Sequence, residues 1–226
     1  MPARRLGLLL AAIACLFAPV AAWSQDILTA DQYFAKVALR YIGIEDYEGT
    51  VVIHSGSEKM TGKLSFKSPS LLRIDFSVPA EQVILFDGAR LVVYIPQYRA
   101  VLQQEAGATG AGAAALASRE GLAMMKRSYT MAWESSPAPV PLDPGSSEMV
   151  QRLVLNRKSA SEGFRTLKVS VNPETLLIRR IEGWTLANER IAFDLSGIRT
   201  NQNIPANRFL YDAPASANVY NNFLFQ

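Results

Sequence analysis

The sequence predicts a mainly β fold (α+β), with about ten or eleven antiparallel strands in one curled sheet and two or three helices laid against it. Three observations predict it. Apolar residues alternate with period two through most of the chain. Turn residues cut these runs at short intervals, which is the pattern of an antiparallel meander. Only two stretches space their apolar residues as a helix does. A twisted sheet of this size must curl, and a helix over its inner face encloses a concave apolar cavity.

The chain has 226 residues. Residues 1–24 read as a secretory signal peptide: Arg4 and Arg5, an apolar run Leu6–Val20, then small residues at Ala22 and Ser24. Cleavage is expected before Gln25, with a cut before Trp23 as the alternative. Pro19 and the short apolar run argue against a retained membrane helix. The single cysteine, Cys15, lies inside this leader. A lipid-modified Cys15 is disfavoured, because the apolar run continues past it. Residues 25–226 then form one domain without a disulfide, held by its core.

The net charge of +3 includes the two leader arginines, so the remaining chain carries 21 basic against 20 acidic residues. This balance, with no basic helix or aromatic–basic motif, excludes nucleic acid as the expected partner.

Thr29 is an N-cap and Gln32 the other half of a capping box. The helix Ala30–Ile42 follows, with Tyr33, Val37 and Tyr41 on its apolar face and Phe34, Ala38 and Leu39 alongside; Gly43 ends it. Tyr47–His54 is the first strand, with Val51 and Ile53 on one face and Val52 and His54 on the other. The runs Met60–Lys67, Leu71–Ser77, Gln82–Phe86 and Ala89–Ile95 make a meander, continued by Tyr98–Gln104. Asp87-Gly88 predicts a two-residue type I′ hairpin turn. Several of these strands, such as Val83–Phe86 and Leu91–Tyr94, are apolar on both faces. Such a sheet needs cover on both sides, or cover on one and a ligand on the other.

Glu105–Ala117 is a loop of small residues. Ser118–Tyr129 is a short helix with Leu122, Met124 and Met125; of the adjacent methionines only one can face inward. Thr130–Glu134 is a further strand, and Ser135–Ser147, with four prolines, a loop. Glu148–Arg157, Gly163–Val171, Leu176–Thr185 and Glu189–Ile198 form a second meander whose strands have one wet face. Phe209–Tyr211 is expected as a last edge piece, and Asn218–Gln226 as a tail.

Catalytic signatures are not found. His54, the single histidine, lies near Ser55 and Ser57 and is read as a polar strand-end residue rather than a general base. Glu45-Asp46 reads as a solvated pair rather than a glycosidase dyad. The sequence carries no nucleophile elbow, phosphate loop or Cys/His metal set. No enzyme, cofactor or metal is expected.

One stretch resembles a known family. Gly62-Lys63-Leu64 running into Phe66-Lys67, Pro69 with Leu72-Arg73-Ile74, Pro79 with Glu81-Gln82, the Asp87-Gly88 hairpin and Leu91–Tyr94 before Pro96 are similar to the LolA-type periplasmic outer-membrane lipoprotein carrier family. Phe193-Asp194-Leu195 and Ile204–Phe209 before Pro214 extend the likeness. The resemblance implies an unclosed antiparallel barrel with a helical lid. It implies a monomeric periplasmic carrier that takes acylated lipoproteins, or lipid, from an inner-membrane release complex to an outer-membrane acceptor. The expected cavity residues are Leu64, Phe66, Ile74, Phe76, Ile84, Phe86, Val93, Leu122 and Met125. The family's lid-holding arginine, just before the proline that opens the third strand, is replaced here by Ser68. Arg73 matches another frequent family arginine and is the expected lid-control residue. Rival readings are a sensor of the same fold and a secreted hydrolase.

Overall fold

The computed structural model describes residues 28–105 and 117–222. The leader, most of the small-residue loop and the last four residues lie outside that range.

The helix α1 spans Ala30–Ile42, with Thr29 as its N-cap. The capping box is complete: the Gln32 N–H donates to Thr29 Oγ1 at 3.2 Å, and the Thr29 N–H to Gln32 Oε1 at 2.8 Å. Ala30, Tyr33, Phe34, Val37 and Tyr41 are buried, as the 3.6 spacing requires. Leu39, placed alongside that face from the sequence, is 67% exposed.

Among the described residues thirteen strands form one sheet. They are β1 (Asp46–Ser55), β2 (Glu58–Lys67), β3 (Leu71–Val78), β4 (Val83–Phe86), β5 (Arg90–Ile95), β6 (Ala100–Glu105), β7 (Tyr129–Trp133), β8 (Val140–Pro141), β9 (Met149–Arg157), β10 (Phe164–Val171), β11 (Ile178–Thr185), β12 (Arg190–Thr200) and β13 (Asn218–Asn221). The second helix, α2, spans Arg119–Ser128, and Ser118 Oγ caps it by accepting from the Gly121 N–H at 3.0 Å.

The order across the sheet is β13-β6-β5-β4-β3-β2-β1-β12-β11-β10-β9-β7, with β8 beside β9. The two meanders meet where β1 pairs with β12. The end strands β7 and β13 do not pair with each other, so the barrel is unclosed. The two strands beyond the expected number, β8 and β13, are short, of two and four residues.

Four expectations are corrected. β13 pairs with β6 in parallel, so the sheet is not wholly antiparallel. The 209–211 stretch is not a strand: Ala206–Phe209 is a 3-10 turn that buries Phe209. The hairpin after β4 closes through the Asp87 N–H to the Arg90 carbonyl, leaving Gly88 and Ala89 as its tip. Only Gly88 has positive φ, 97°, so the turn is not type I′, and Asp87 Oδ1 stabilises it by accepting from the Ala89 and Arg90 N–H groups. Finally, β11 starts at Ile178 rather than Leu176, because Leu176 sits at φ 58°, outside extended geometry.

Paired residues share a face of the sheet. Leu64, Ile74, Ile84 and Val93 lie in one row, and Phe66, Leu72, Phe86 and Leu91 in the next. Together with Val51 and Ile53, and with Leu153, Val169, Ile181 and Leu195 from the second meander, the rows make a concave inner face under α1 and α2. On the outer face Val83, Leu85, Val92 and Val101 form a second, smaller core with Tyr94, Tyr211 and Ala217. The segment after β12 therefore crosses the back of the first meander as a strap. Asp46, buried at the start of β1, anchors it by accepting from the Gln202 and Ile204 N–H groups at 2.6 and 3.0 Å.

Candidate functional site

The inner face under the helices gathers most of the expected cavity residues. Leu64, Phe66, Ile74, Phe76, Phe86, Leu122 and Met125 are buried in one apolar cluster, and Ile84 packs against it half-buried. Val93 lies in the same row as Ile84 but is only half-buried and outside the cluster. Met125 is fully buried and Met124 only partly, as adjacent helix positions require.

The expected open cavity is corrected. The space bounded by Val51, Leu64, Ile74, Ala117, Ile181, Phe193 and Leu195 measures about 20 Å³, room for one water at most. Among the described residues the interior is packed with the protein's own side chains, Phe34, Leu122 and Met125 of the helices among them. A larger groove of about 320 Å³ lies on the outer face between β4–β6 and the strap, but Asp87, Arg90 and Asp212 line it, and acyl chains have no reason to prefer such walls.

The helices are held by hydroxyls and one indole. Tyr41 of α1 accepts at its hydroxyl from the Ile178 N–H at 3.0 Å. Tyr47 of β1, stacked on Phe66, donates to the carbonyl of Ala117 just before α2 at 2.9 Å. Trp133 of β7 donates through Nε1 to the Leu28 carbonyl at 3.2 Å, and its ring lies 5.0 Å from that of Tyr33. At the far end of α2, Lys158 Nζ donates to the carbonyls of Lys126 and Arg127, where a cation suits the helix dipole. Burial pushes the Tyr33 and Tyr41 hydroxyls up to about 12, and that of Tyr47 well above its ordinary value. They stay protonated and able to donate. Sequence reasoning missed Tyr47 and Trp133 as lid contacts; apart from their amphipathic character, nothing in strand spacing marks them.

Arg73 is elsewhere. It lies on the outer face, where it pairs with Asp75 and donates through Nη1 to the carbonyls of Arg208 and Leu210 at 3.3 and 2.8 Å. Its guanidinium carbon stands 5.8 Å from the centre of the Tyr211 ring. Burial would raise the Asp75 carboxyl, but Arg73 and Arg208 outweigh it and hold it below its ordinary value. Arg73 thus fastens the strap, on the side opposite the helices. Ser68, where the family arginine would stand, donates its backbone N–H to the Glu45 carbonyl at 2.7 Å.

His54 lies on the outer face, its Nε2 3.4 Å from Asp194 Oδ2. Glu45 and Asp46 hold backbone: the Glu45 N–H donates to Asn201 Oδ1, and Asp46 anchors the strap. No group of three or more metal-ligating side chains occurs among the described residues. None of their helices is long and apolar enough to cross a membrane.

Residues 50–212 match the family model of the outer membrane lipoprotein carrier protein LolA. The chain belongs to this family. It is similar to the outer-membrane lipoprotein carrier protein of Methylibium petroleiphilum, 28% identical over 95% of this chain and 98% of that one. Among solved structures it is similar to an uncharacterized conserved protein from Thermus thermophilus, with a TM-score of 0.53 at 12% identity, over 83% of this chain and 98% of that one. It is also similar to one chain in the structure of the MucA/MucB complex of Pseudomonas aeruginosa, with a TM-score of 0.50 at 12% identity, over 81% of this chain and 61% of that one. Both likenesses are of fold. The curled sheet with two helices on its inner face is the fold of a chain of this family, and the family is named for carriage rather than for a reaction.

Proposed function

We propose that this chain is a non-enzymatic carrier of acylated lipoproteins in the periplasm, with residues 1–24 as its export leader and residues 25–226 as one carrier domain. One observation carries the reading: a large concave apolar face, in a chain of this family, is covered by two short helices rather than by a second sheet. Leu64, Phe66, Ile74, Phe76, Ile84, Phe86 and Val93 would be the walls, and Leu122 and Met125 the part that moves.

The filled interior fits a carrier that shelters its cargo only when loaded. Exposing Leu122 and Met125 would cost about 3–6 kcal/mol, at about 1.5–3 kcal/mol each. At about 0.8 kcal/mol per buried CH₂, roughly four to eight methylenes of one acyl chain offset that. A diacylated protein brings many more. The helices therefore rest closed when empty and yield to cargo, and a flexible methionine suits a contact that must re-form with different partners. Release to an outer-membrane acceptor needs only that the acceptor offer a comparable apolar site. An inner-membrane release complex would load the chain, which would travel as a monomer.

The test is native mass spectrometry of the mature protein isolated from a bacterial periplasm, with titration of a fluorescent diacyl probe. A bound mass matching a lipid or an acylated protein, displaced by the probe, is the expected result. A protein that is empty and ignores the probe would overturn carriage and leave a protein-binding regulator of the same fold.

A further inference from the structure

Four tyrosines of the inner core bury their rings, and three of their hydroxyls are partnered. Tyr41 accepts from the Ile178 N–H, Tyr47 donates to the Ala117 carbonyl and Tyr129 donates to the Phe164 carbonyl at 3.1 Å. The fourth, Tyr33, is 4% exposed, and its hydroxyl oxygen is buried with no partner among the described residues. A buried hydroxyl without a partner destabilises the fold that holds it, and phenylalanine would fill the same space without the penalty. Here the hydroxyl is maintained at a cost to the empty protein.

Its position suggests what it is for. Tyr33 lies in the first turn of α1, its ring against Trp133 of β7. β7 is one end of the unclosed sheet, so Tyr33 stands beside a sheet edge. Trp133 is itself tied to the Leu28 carbonyl, which fixes the surface on which the phenol ring rests. Burial holds the hydroxyl protonated, up to about 12, so it offers a proton at any cellular pH. A ligand that suits this place is apolar along its length and carries one acceptor at its head.

We infer that Tyr33 is a specificity residue that donates a hydrogen bond to the carbonyl of an acyl linkage, ester or amide, whose hydrocarbon chain occupies the interior. This rests on the carrier reading above. The hydroxyl gains its missing partner only when cargo is bound. It thus sets the depth to which the chain enters and distinguishes an acyl chain from a plain alkyl one.

The experiment compares two fluorescent glyceryl probes of equal chain length, one ester-linked and one ether-linked, the second lacking the carbonyl. Wild type should bind the ester probe roughly three- to tenfold more tightly, as one neutral hydrogen bond allows. Tyr33→Phe should lose that preference, keep its affinity for the ether probe, and melt a few degrees higher when empty. Tyr41→Phe, whose hydroxyl is already engaged, should melt lower and keep the preference. Equal binding of both probes by wild type, or a preference that survives in Tyr33→Phe, would overturn the role of Tyr33 while leaving carriage intact. Failure of wild type to bind either probe would overturn carriage and this role with it.

Discussion

The two meanders present the same inner face and opposite outer faces. Behind β4–β6 the outer face is apolar, with Val83, Leu85, Val92 and Val101 under the strap. Behind β9–β12 it is charged: Arg180 pairs with Asp143 and Asp194, Glu134 with Arg152 and Lys168, and Arg190 with Glu182. The first meander is therefore a layer within a sandwich of helices and strap, while the second is a wall with one side to water. A sheet segment apolar on both faces could have meant a ligand on one of them. Here the chain covers both, and the outer face of the first meander is structural.

The comparison breaks most visibly at Leu85, 2% exposed beneath the strap. Leu85→Ala should destabilise by about 2–5 kcal/mol in urea unfolding, the range for a buried leucine. It should leave the affinity for a diacyl probe unchanged in the folded protein, because Leu85 faces away from the helices. An equal loss of probe affinity would mean that the outer core, and not the inner face, holds the ligand.

The charged wall should respond differently, and mainly to pH. A hydrogen bond and charge from Lys168, with Arg152 behind it, hold the Glu134 carboxyl below its ordinary value of 4.5. A carboxyl lowered in the fold stabilises above its unfolded value, and the effect disappears as pH falls through the folded one. Glu134→Gln should therefore cost about 1 kcal/mol or less near neutral pH, solvent screening limiting the pair, and nothing once the pH lies well below the folded value. It should also depend on salt, as Leu85→Ala should not. A loss that persists in strong acid would show that Glu134 acts through packing.

The contrast also explains what could be read from the chain. The capping box of α1, the period-two rows and the inward face of α2 are local patterns, and the structure follows them nearly residue by residue. What the chain did not disclose depends on contacts distant in sequence. Arg73 looked like a lid residue because the family has arginines there, yet strand alternation puts it beside Asp75 on the outer face, where Arg208, far along the chain, joins them. Phe209–Tyr211 looked like an edge strand, but Asp46 and Lys67, which donates to the Ile204 carbonyl at 2.7 Å, draw that segment across the sheet instead. The parallel pairing of β13 with β6 has no alternating signature at all, since Asn218–Asn221 is exposed on both sides. The volume of the interior is likewise a tertiary property. Pattern shows which residues face inward, not whether the helices fill the space between them.

The smallest effect should come from His54, and it bears on what kind of protein this is. A secreted hydrolase would need the lone histidine as its base, held by a carboxylate and facing a nucleophile in a cleft. Asp194 is present at 3.4 Å, so half of that arrangement exists. The rest does not support it. His54 faces outward from β1 opposite Lys59 and Ala192, on the side of the sheet away from the helices, and Asp194 is already engaged by Arg180. The pair belongs to the charged wall. His54→Ala should change stability by less than about 0.5 kcal/mol, as for other surface positions, and leave probe affinity within error. Loss of an ester-cleaving activity in this variant, with probe binding retained, would turn the wall of the second meander into an active site and the carrier into an enzyme.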